Sequence, residues 1–286
     1  MKRIGSSHLA VLATLALVAG FATSASATPV PNSAKVFERL YNDCGISTVT
    51  SVNSYPASVS IADSWSGLCV GFANGHAWNF SGDAGATSLD LGNDGNFKFK
   101  ATVTLSATSG QVEGGIHIAP WWNNMDGRFQ ARIPDGEVAC FGGRLPFYSF
   151  TANHGVVYVA GTPITMEIEY RGHAAALGSH GSIRYGVTYG VNTYKSPILF
   201  FDQGNTSEDP PHGLWGALSP AYAGGVVQVN NGSGGSNYNA TWTNVTYTVL
   251  EDTPGVGTWS LILCAVALLG TGSVILVRRR RRILTA

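Results

Sequence analysis

The segment Phe97-Lys98-Phe99-Lys100-Ala101-Thr102-Val103-Thr104-Leu105 indicates the fold class of this chain. Its apolar residues stand at every second position, with lysines and threonines between them, which is the period of a β-strand that is buried on one face only. Residues 164–170 repeat this alternation, with Glu167 and Glu169 on the polar face. The two stretches predict antiparallel sheets that have one solvated face.

Other short segments have the same character and are separated by turns rich in Gly, Asn, Asp and Pro. The predicted strands are residues 47–52, 58–62, 76–80, 112–118, 128–133, 137–141, 156–160, 182–189, 225–229 and 243–250. One short helix is predicted over residues 33–44, where Phe37, Leu40, Tyr41 and Cys44 recur at helical spacing. About a dozen strands with one helix predict an all-β domain, a two-sheet antiparallel β-sandwich of the jelly-roll type.

Both ends of the chain have the character of membrane-directed segments. Lys2 and Arg3, an apolar run and Ala25-Ser26-Ala27 form the pattern of a secretory signal peptide over residues 1–27. Near the other end, residues 259–277 are uncharged, long enough for a transmembrane helix of roughly 28 Å, and followed by five arginines that favour the cytoplasmic side. The sequence thus predicts an extracellular domain over residues 28–252 that is exported and held in the membrane.

The tail over residues 253–286 joins a short Pro-containing motif, an apolar helix and an arginine cluster. Together these resemble the C-terminal sorting signal of exosortase substrates, the PEP-CTERM class of exported bacterial proteins. Pro254, Gly257 and Trp259 resemble the variant of the motif written around Pro-Thr-Leu, since the Pro-Glu-Pro form is absent. The resemblance implies an exosortase-like processing enzyme as a partner and a cell-surface or secreted product, whereas an ordinary single-span anchor is the alternative.

Charge and cysteine content narrow the function classes. Seven of the seventeen basic residues lie in the two ends and none of the seventeen acidic ones does, so the domain carries about −7. An acidic domain argues against nucleic acid as a partner. In an oxidising compartment we expect one disulfide, between Cys44 and Cys69, which leaves Cys140 as a small buried residue.

Several segments together resemble the concanavalin A-like lectin and glucanase jelly roll, laminin-G-like members included. They are, in order, Gly114-Gly115-Ile116-His117-Ile118, Asp126-Gly127-Arg128-Phe129, Ile183-Arg184-Tyr185-Gly186-Val187 and a closing strand at 239–247. The resemblance implies the sandwich fold and a carbohydrate ligand.

Two loops are candidate binding sites. The first supplies aromatic rings for stacking on sugars and polar groups for their hydroxyls; with a tryptophan from the second loop, its residues are Trp121, Trp122, Asn123, Asn124, Asp126 and Trp215. The second supplies oxygen ligands of the kind calcium requires, at Asp202, Asn205, Glu208 and Asp209. The alternatives are that the tryptophans pack in the core, that the polar residues form turns, and that the acidic loop is only solvated. Calcium is the one cofactor that the sequence suggests.

Two carboxylate pairs are candidates for a glycosidase centre. Glu167 and Glu169 have the i, i+2 spacing that a retaining pair could use, but Arg171 occupies the next alternate position and favours an outward strand face. Glu137 with Asp126 is a second pair. A lyase of the alginate-lyase type is not favoured, because Gly115 replaces the glutamine of its Gln-Ile-His strand and its Tyr-x-Lys-x-Gly-x-Tyr segment is not found.

The preferred interpretation is a surface-anchored or secreted, lectin-like protein of the envelope or extracellular matrix that contacts polysaccharide and is not an enzyme. The alternatives are a carbohydrate-active enzyme, either a glycoside hydrolase or a lyase, on the same fold, and a purely structural surface protein.

Overall fold

A computed structural model describes residues 29–41, 46–68, 71–91, 95–108, 111–119, 127–141, 146–172, 181–200, 222–230 and 235–251. These residues form fifteen strands and one helix. The strands are β1 (Ser33–Tyr41), β2 (Ile46–Ser54), β3 (Ser58–Ser66), β4 (Phe72–Ser81), β5 (Asn96–Ala107), β6 (Val112–Ala119), β7 (Arg128–Arg132), β8 (Val138–Phe141), β9 (Tyr148–Ser149), β10 (Ile164–Arg171), β11 (Ser182–Tyr189), β12 (Asn192–Lys195), β13 (Leu199–Phe200), β14 (Tyr222–Asn230) and β15 (Ser236–Val249). The helix, α1, is Phe150–His154.

The strands pack as two antiparallel sheets. One sheet has seven strands in the order β1-β4-β14-β6-β7-β8-β9, and the other has eight, in the order β12-β11-β10-β5-β15-β3-β2 with β13 beside β11. The chain passes repeatedly from one sheet to the other, as in a jelly roll. The predicted two-sheet antiparallel sandwich is therefore confirmed.

The core lies between the sheets and follows the alternation read from the sequence. In β5 every second side chain from Phe97 to Leu105 is fully buried, and in β10 the buried side chains run from Ile164 to Tyr170. The strand predicted at 182–189 coincides with β11. Those at 47–52, 58–62, 76–80, 112–118 and 225–229 lie inside observed strands, and the one at 243–250 overlaps β15, which ends at Val249.

The predicted N-terminal helix is wrong where the structure describes it. Residues 33–41 form β1, which pairs antiparallel with β4 from Ser33 opposite Ser81 to Tyr41 opposite Gly75. Phe37 and Leu40 have helical spacing in the sequence. However, Ala34 is buried against the core with Val36 beside it, so the sheet edge overrides the local pattern.

The segment predicted as a strand at 156–160 is extended but unpaired. Val156 and Tyr158 are buried and Val157 and Val159 are exposed, which is the alternation of a strand. The segment makes single hydrogen bonds instead of pairing with a strand. The backbone N–H of Tyr158 donates to the carbonyl of Gly136, and the Tyr158 hydroxyl bonds to the backbone of Leu105. Helix α1, just before it, was not predicted.

Other predictions from the sequence fall outside the described ranges. These are the signal peptide, the membrane span at 259–277 with its arginine tail, and the Cys44–Cys69 disulfide. Within the ranges that are described, no helix has the length and apolar character needed to cross a bilayer. Cys140 is buried and is not in a disulfide, as expected.

The two sheets meet around a pair of tryptophans. Trp78 of β4 and Trp242 of β15 are fully buried, with ring centroids 6.2 Å apart and planes at 79°. The Trp242 indole N–H crosses the core and donates to the carbonyl of Gly115 on the opposite sheet at 2.7 Å. Gly225 of β14 faces both rings, and a Cβ there would lie 2.3 Å from Nε1 of Trp78 and 2.4 Å from Cε2 of Trp242.

A methyl group at position 225 should therefore destabilise the domain. We expect Gly225→Ala to lower the free energy of unfolding by about 3 kcal/mol, because neither indole can move without disturbing both sheets. Urea unfolding followed by tryptophan fluorescence measures this free energy. The control is Gly82→Ala, where the nearest atom to a new Cβ, Leu89 Cδ1, lies at an ordinary 3.4 Å. Equal stability of the two variants would contradict the packing argument.

Candidate functional site

Most of the sequence-predicted site residues lie outside the described part of the chain. This holds for the aromatic loop (Trp121, Trp122, Asn123, Asn124, Asp126), for Trp215, for the calcium loop (Asp202, Asn205, Glu208, Asp209) and for the sorting motif (Pro254, Gly257, Trp259). In the described ranges no three His, Cys, Asp or Glu side chains are grouped as metal ligands would be.

The carboxylate pair Glu167 and Glu169 is described, and it is paired with cations. Glu167 receives the Lys195 ammonium at 3.3 Å, and Glu169 receives the Arg171 guanidinium at 3.4 Å. The strand register adds Lys98 and Lys100 of β5 directly opposite them. These charges form a ladder on the outer face of the eight-stranded sheet, as the counter-charge interpretation of Arg171 predicted. Glu137 of the second pair bonds to Arg132.

A different polar set lies on the seven-stranded sheet, on the face that points away from the core. Directly paired residues of antiparallel strands share a face, so the register defines three rows across this outer face. The imidazole row is Lys35, Asn79, Gly224, His117 and Arg128. The glutamine row is Ala77, Val226, Gly115 and Gln130. The carboxylate row is Gln228, Glu113, Arg132 and Glu137.

His117 is the central side chain of the imidazole row. It is fully buried, and its Nε2 lies 3.4 Å from the carbonyl oxygen of Trp78. The ring reaches this oxygen across Gly224, where a Cβ would stand only 1.9 Å from the same oxygen. Since a carbonyl only accepts, Nε2 carries the proton and Nδ1 presents its lone pair.

The environment of His117 keeps the imidazole neutral. Burial lowers the pKa of His117 to about 4, and the bond to the Trp78 carbonyl opposes part of that shift. At neutral pH the ring is therefore uncharged. Its Nδ1 has no hydrogen-bond partner in the described part of the chain.

Two more buried side chains of the outer face carry unpaired acceptors. Oε1 of Gln130 and Oδ1 of Asn79 have no partner among the described residues, although the side chains are only 3% and 1% exposed. The amide nitrogen of Asn79 donates to Ser88 at 3.0 Å. Buried polar atoms without partners cost about 1–3 kcal/mol each. Together with Nδ1 of His117, these acceptors place three such atoms on one face of the sheet.

Arg128 and Tyr222 lie at the accessible margin of this cluster. Arg128 sits directly opposite His117 on the neighbouring strand, about 5 Å away between Cα atoms. Tyr222 begins β14 on the other side and is the diagonal neighbour of His117, roughly 7–8 Å away. Both side chains are partly exposed. A neutral base, a cation and a phenol thus converge on one patch.

The carboxylate row is held together by one guanidinium. Arg132 Nε lies 3.3 Å from Glu113, and its Nη1 lies 3.1 Å from Glu137 and 3.3 Å from Asp135. Glu113 is buried and also accepts from the amide of Gln228. These rows were not identified from the sequence. The signal that could have indicated them lies in residues 112–118, where the polar residues Glu113 and His117 alternate with apolar ones along a strand that contains two glycines.

No protein-family model matches the sequence, and the search of curated proteins found no match. Among solved structures the chain is similar to the alginate lyase A1-II′, at 13% identity over 76% of this chain and 95% of that one, with a TM-score of 0.45. It is similar to a family 7 alginate lyase in complex with substrate, at 15% identity over 71% and 83%, with a TM-score of 0.42. A seed lectin of Lotus tetragonolobus matches at 12% identity over 77% and 100%, with a TM-score of 0.34.

These similarities concern the fold: polysaccharide lyases and lectins have sandwiches of this kind. Two further solved structures in the comparison are a family 18 polysaccharide lyase and an alginate lyase from an Alteromonas species. The prediction from the sequence that the protein is not an enzyme is contradicted by this comparison, in which four of the similar structures are lyases.

The protonation state of each ring nitrogen of His117 can be measured by NMR. We expect its imidazole at neutral pH to be protonated at Nε2 only, because the Trp78 carbonyl can only accept. Long-range proton–nitrogen correlation spectra distinguish the two ring nitrogens, and the signals are assigned by their loss in His117→Gln. An Nδ1-protonated ring would contradict the arrangement.

The lowered pKa of His117 also predicts how stability depends on pH. Between about pH 6.5 and 4 the unfolded chain binds a proton at this residue and the folded protein does not, so stability falls as the pH falls. The loss attributable to His117 reaches about 3 kcal/mol at pH 4. We expect His117→Gln to show a shallower slope in this window when urea unfolding is measured at several pH values. If the free energy of unfolding fell with the same slope in both proteins, the pH dependence would come from another group.

Proposed function

We propose that the protein is a carbohydrate-active enzyme, a lyase that cleaves an acidic polysaccharide by β-elimination at the outer face of the seven-stranded sheet. One observation carries this proposal. A buried imidazole kept neutral, whose Nδ1 has no hydrogen-bond partner among the described residues, lies opposite Arg128 and diagonal to Tyr222. These are the three chemical groups that elimination next to a carboxylate needs.

In this reaction His117 acts as the general base. Its Nδ1 removes the proton from the ring carbon that bears the carboxylate, and the electron pair forms a double bond to the neighbouring carbon. The glycosidic C–O bond on that neighbour breaks, and the departing oxygen takes a proton from the hydroxyl of Tyr222. Because the imidazole starts neutral, it is ready to accept a proton at neutral pH.

Arg128 binds the carboxylate and stabilises the charge that develops on it during proton removal. The amide of Gln130 lies one row along on the same strand and can present its NH₂ group to the same carboxylate. Asn79 lies two strands from His117, about 10 Å away, where it can hold a neighbouring hydroxyl.

Access limits how the substrate can enter. His117 is fully buried, whereas Arg128 and Tyr222 are partly exposed. The polymer would therefore approach from the margin formed by these two residues. Substrate binding then opens the surface over the imidazole.

Lyase activity is tested by incubating the full-length protein with uronate-containing polysaccharides and following the ultraviolet absorbance of the unsaturated product. We expect His117→Gln and Tyr222→Phe each to lower kcat by roughly 10²-fold or more. Glu167→Gln, on the outer face of the other sheet, should retain activity and serves as the control. Binding of polysaccharide without any unsaturated product would refute the proposed lyase.

We also propose that this activity operates outside the cell. The support is the sequence pattern of the two ends: a signal peptide at 1–27 and a sorting tail at 253–286 with an apolar span and five arginines. An exosortase-like enzyme would process the tail near Pro254, which leaves the domain at the surface or releases it. Recovery of the protein with the cytoplasmic fraction of the producing cell would contradict this assignment.

A further inference from the structure

Charge on the outer face of the seven-stranded sheet is separated along the strand direction. The imidazole row ends in cations on both sides, Lys35 of β1 and Arg128 of β7, around a neutral His117. At the other end, among the described residues, the carboxylates of Glu113, Glu137 and Asp135 share the guanidinium of Arg132. Counted over the described residues, cations stand at one end of the face, and the three carboxylates with Arg132 at the other end sum to a net charge of −2.

The two ends are far enough apart to contact different units of one polymer. His117 and Glu113 are four residues apart in β6, which corresponds to about 13 Å along the strand. The glutamine row lies between the two ends, and Oε1 of Gln130 there is buried and has no hydrogen-bond partner among the described residues.

The carboxylate row is accessible to that ligand. Asp135 is 49% exposed and Glu137 is 28% exposed at the side chain, whereas Glu113 is buried beneath Arg132. A second carboxylate of a bound polymer placed here would meet two accessible negative charges and a guanidinium already engaged. Like charges brought together at an interface are unfavourable and discriminate against such ligands.

We infer that this face selects a mixed polymer, in which the uronate at the imidazole row is followed toward the carboxylate row by a neutral or amino sugar. The inference rests on the proposed function for its account of the imidazole row. Homopolymers of uronic acid are then not the preferred substrate. Asp135 and Glu137 are the residues that determine this specificity, because they are the accessible carboxylates at the far end.

The test is a comparison of affinities by isothermal titration calorimetry with the full-length protein. The probes are two oligosaccharides of equal length: a homopolymer of glucuronate, and glucuronate alternating with N-acetylglucosamine. At low salt we expect the alternating oligosaccharide to bind about tenfold more tightly. The preference should shrink at high salt, because the charges involved are accessible to solvent.

Variants separate the electrostatic cause from other sources of preference. We expect Asp135→Asn with Glu137→Gln to remove the preference by raising the affinity for the homopolymer about tenfold, with little change for the alternating oligosaccharide. The matched control is Glu167→Gln with Glu169→Gln, which removes two carboxylates from the outer face of the other sheet and should leave the preference intact.

Three outcomes would overturn the inference: equal or tighter binding of the homopolymer, a preference that survives in the Asp135, Glu137 double variant, or binding of neither probe. Failure of the proposed lyase looks different. In that case the alternating oligosaccharide is bound with the expected preference, and no unsaturated product forms.

Discussion

The hydrogen bond from the Trp242 indole to the Gly115 carbonyl joins the two sheets at the centre of the sandwich, and the surrounding packing depends on it. Two crossed indoles fill the space that side chains on the facing strand would otherwise occupy. That strand accommodates them because Gly225 has no Cβ. Close-packed interiors tolerate little change in volume, so the position of β14 is fixed by these rings, and with it the register of β6 and β4 on either side.

Gly224, the neighbour of Gly225 in β14, makes room on the opposite, outer face of the sheet. Gly225 makes room for the indoles toward the core, and Gly224 makes room for the imidazole of His117 on the outside. The carbonyl that His117 meets belongs to Trp78, one of the two core indoles. The core packing and the state of the proposed base are thereby coupled through two neighbouring residues, so a change that shifts Trp78 would also change the tautomer and the proton affinity of His117.

The sequence predicted the sheets better than the site. Alternation in β5, β10 and β11 is strong because each strand has one buried and one wet face. The prediction of secondary structure failed at β1, because Phe37 and Leu40 have helical spacing in what is an edge strand. The partner of this strand lies some forty residues further along the chain. Members of the candidate site come from four strands spread between Asn79 and Tyr222, so only pairing register brings them together. By contrast, the ion pairing of Glu169 with Arg171 was readable, because both groups lie on one strand.

The position of β15 has a mechanical consequence. This strand is the last one that the structure describes, yet it lies in the interior of its sheet with β5 on one side and β3 on the other. It is also the longest, with 14 residues, and the Leu250 N–H beyond it donates to the carbonyl of Asn96. A pull on the chain at Glu251 would act along the strand and load both ladders of hydrogen bonds at once in shear, instead of peeling them apart one at a time. The domain is thus attached to whatever follows Glu251 through a long interior strand that is paired on both sides.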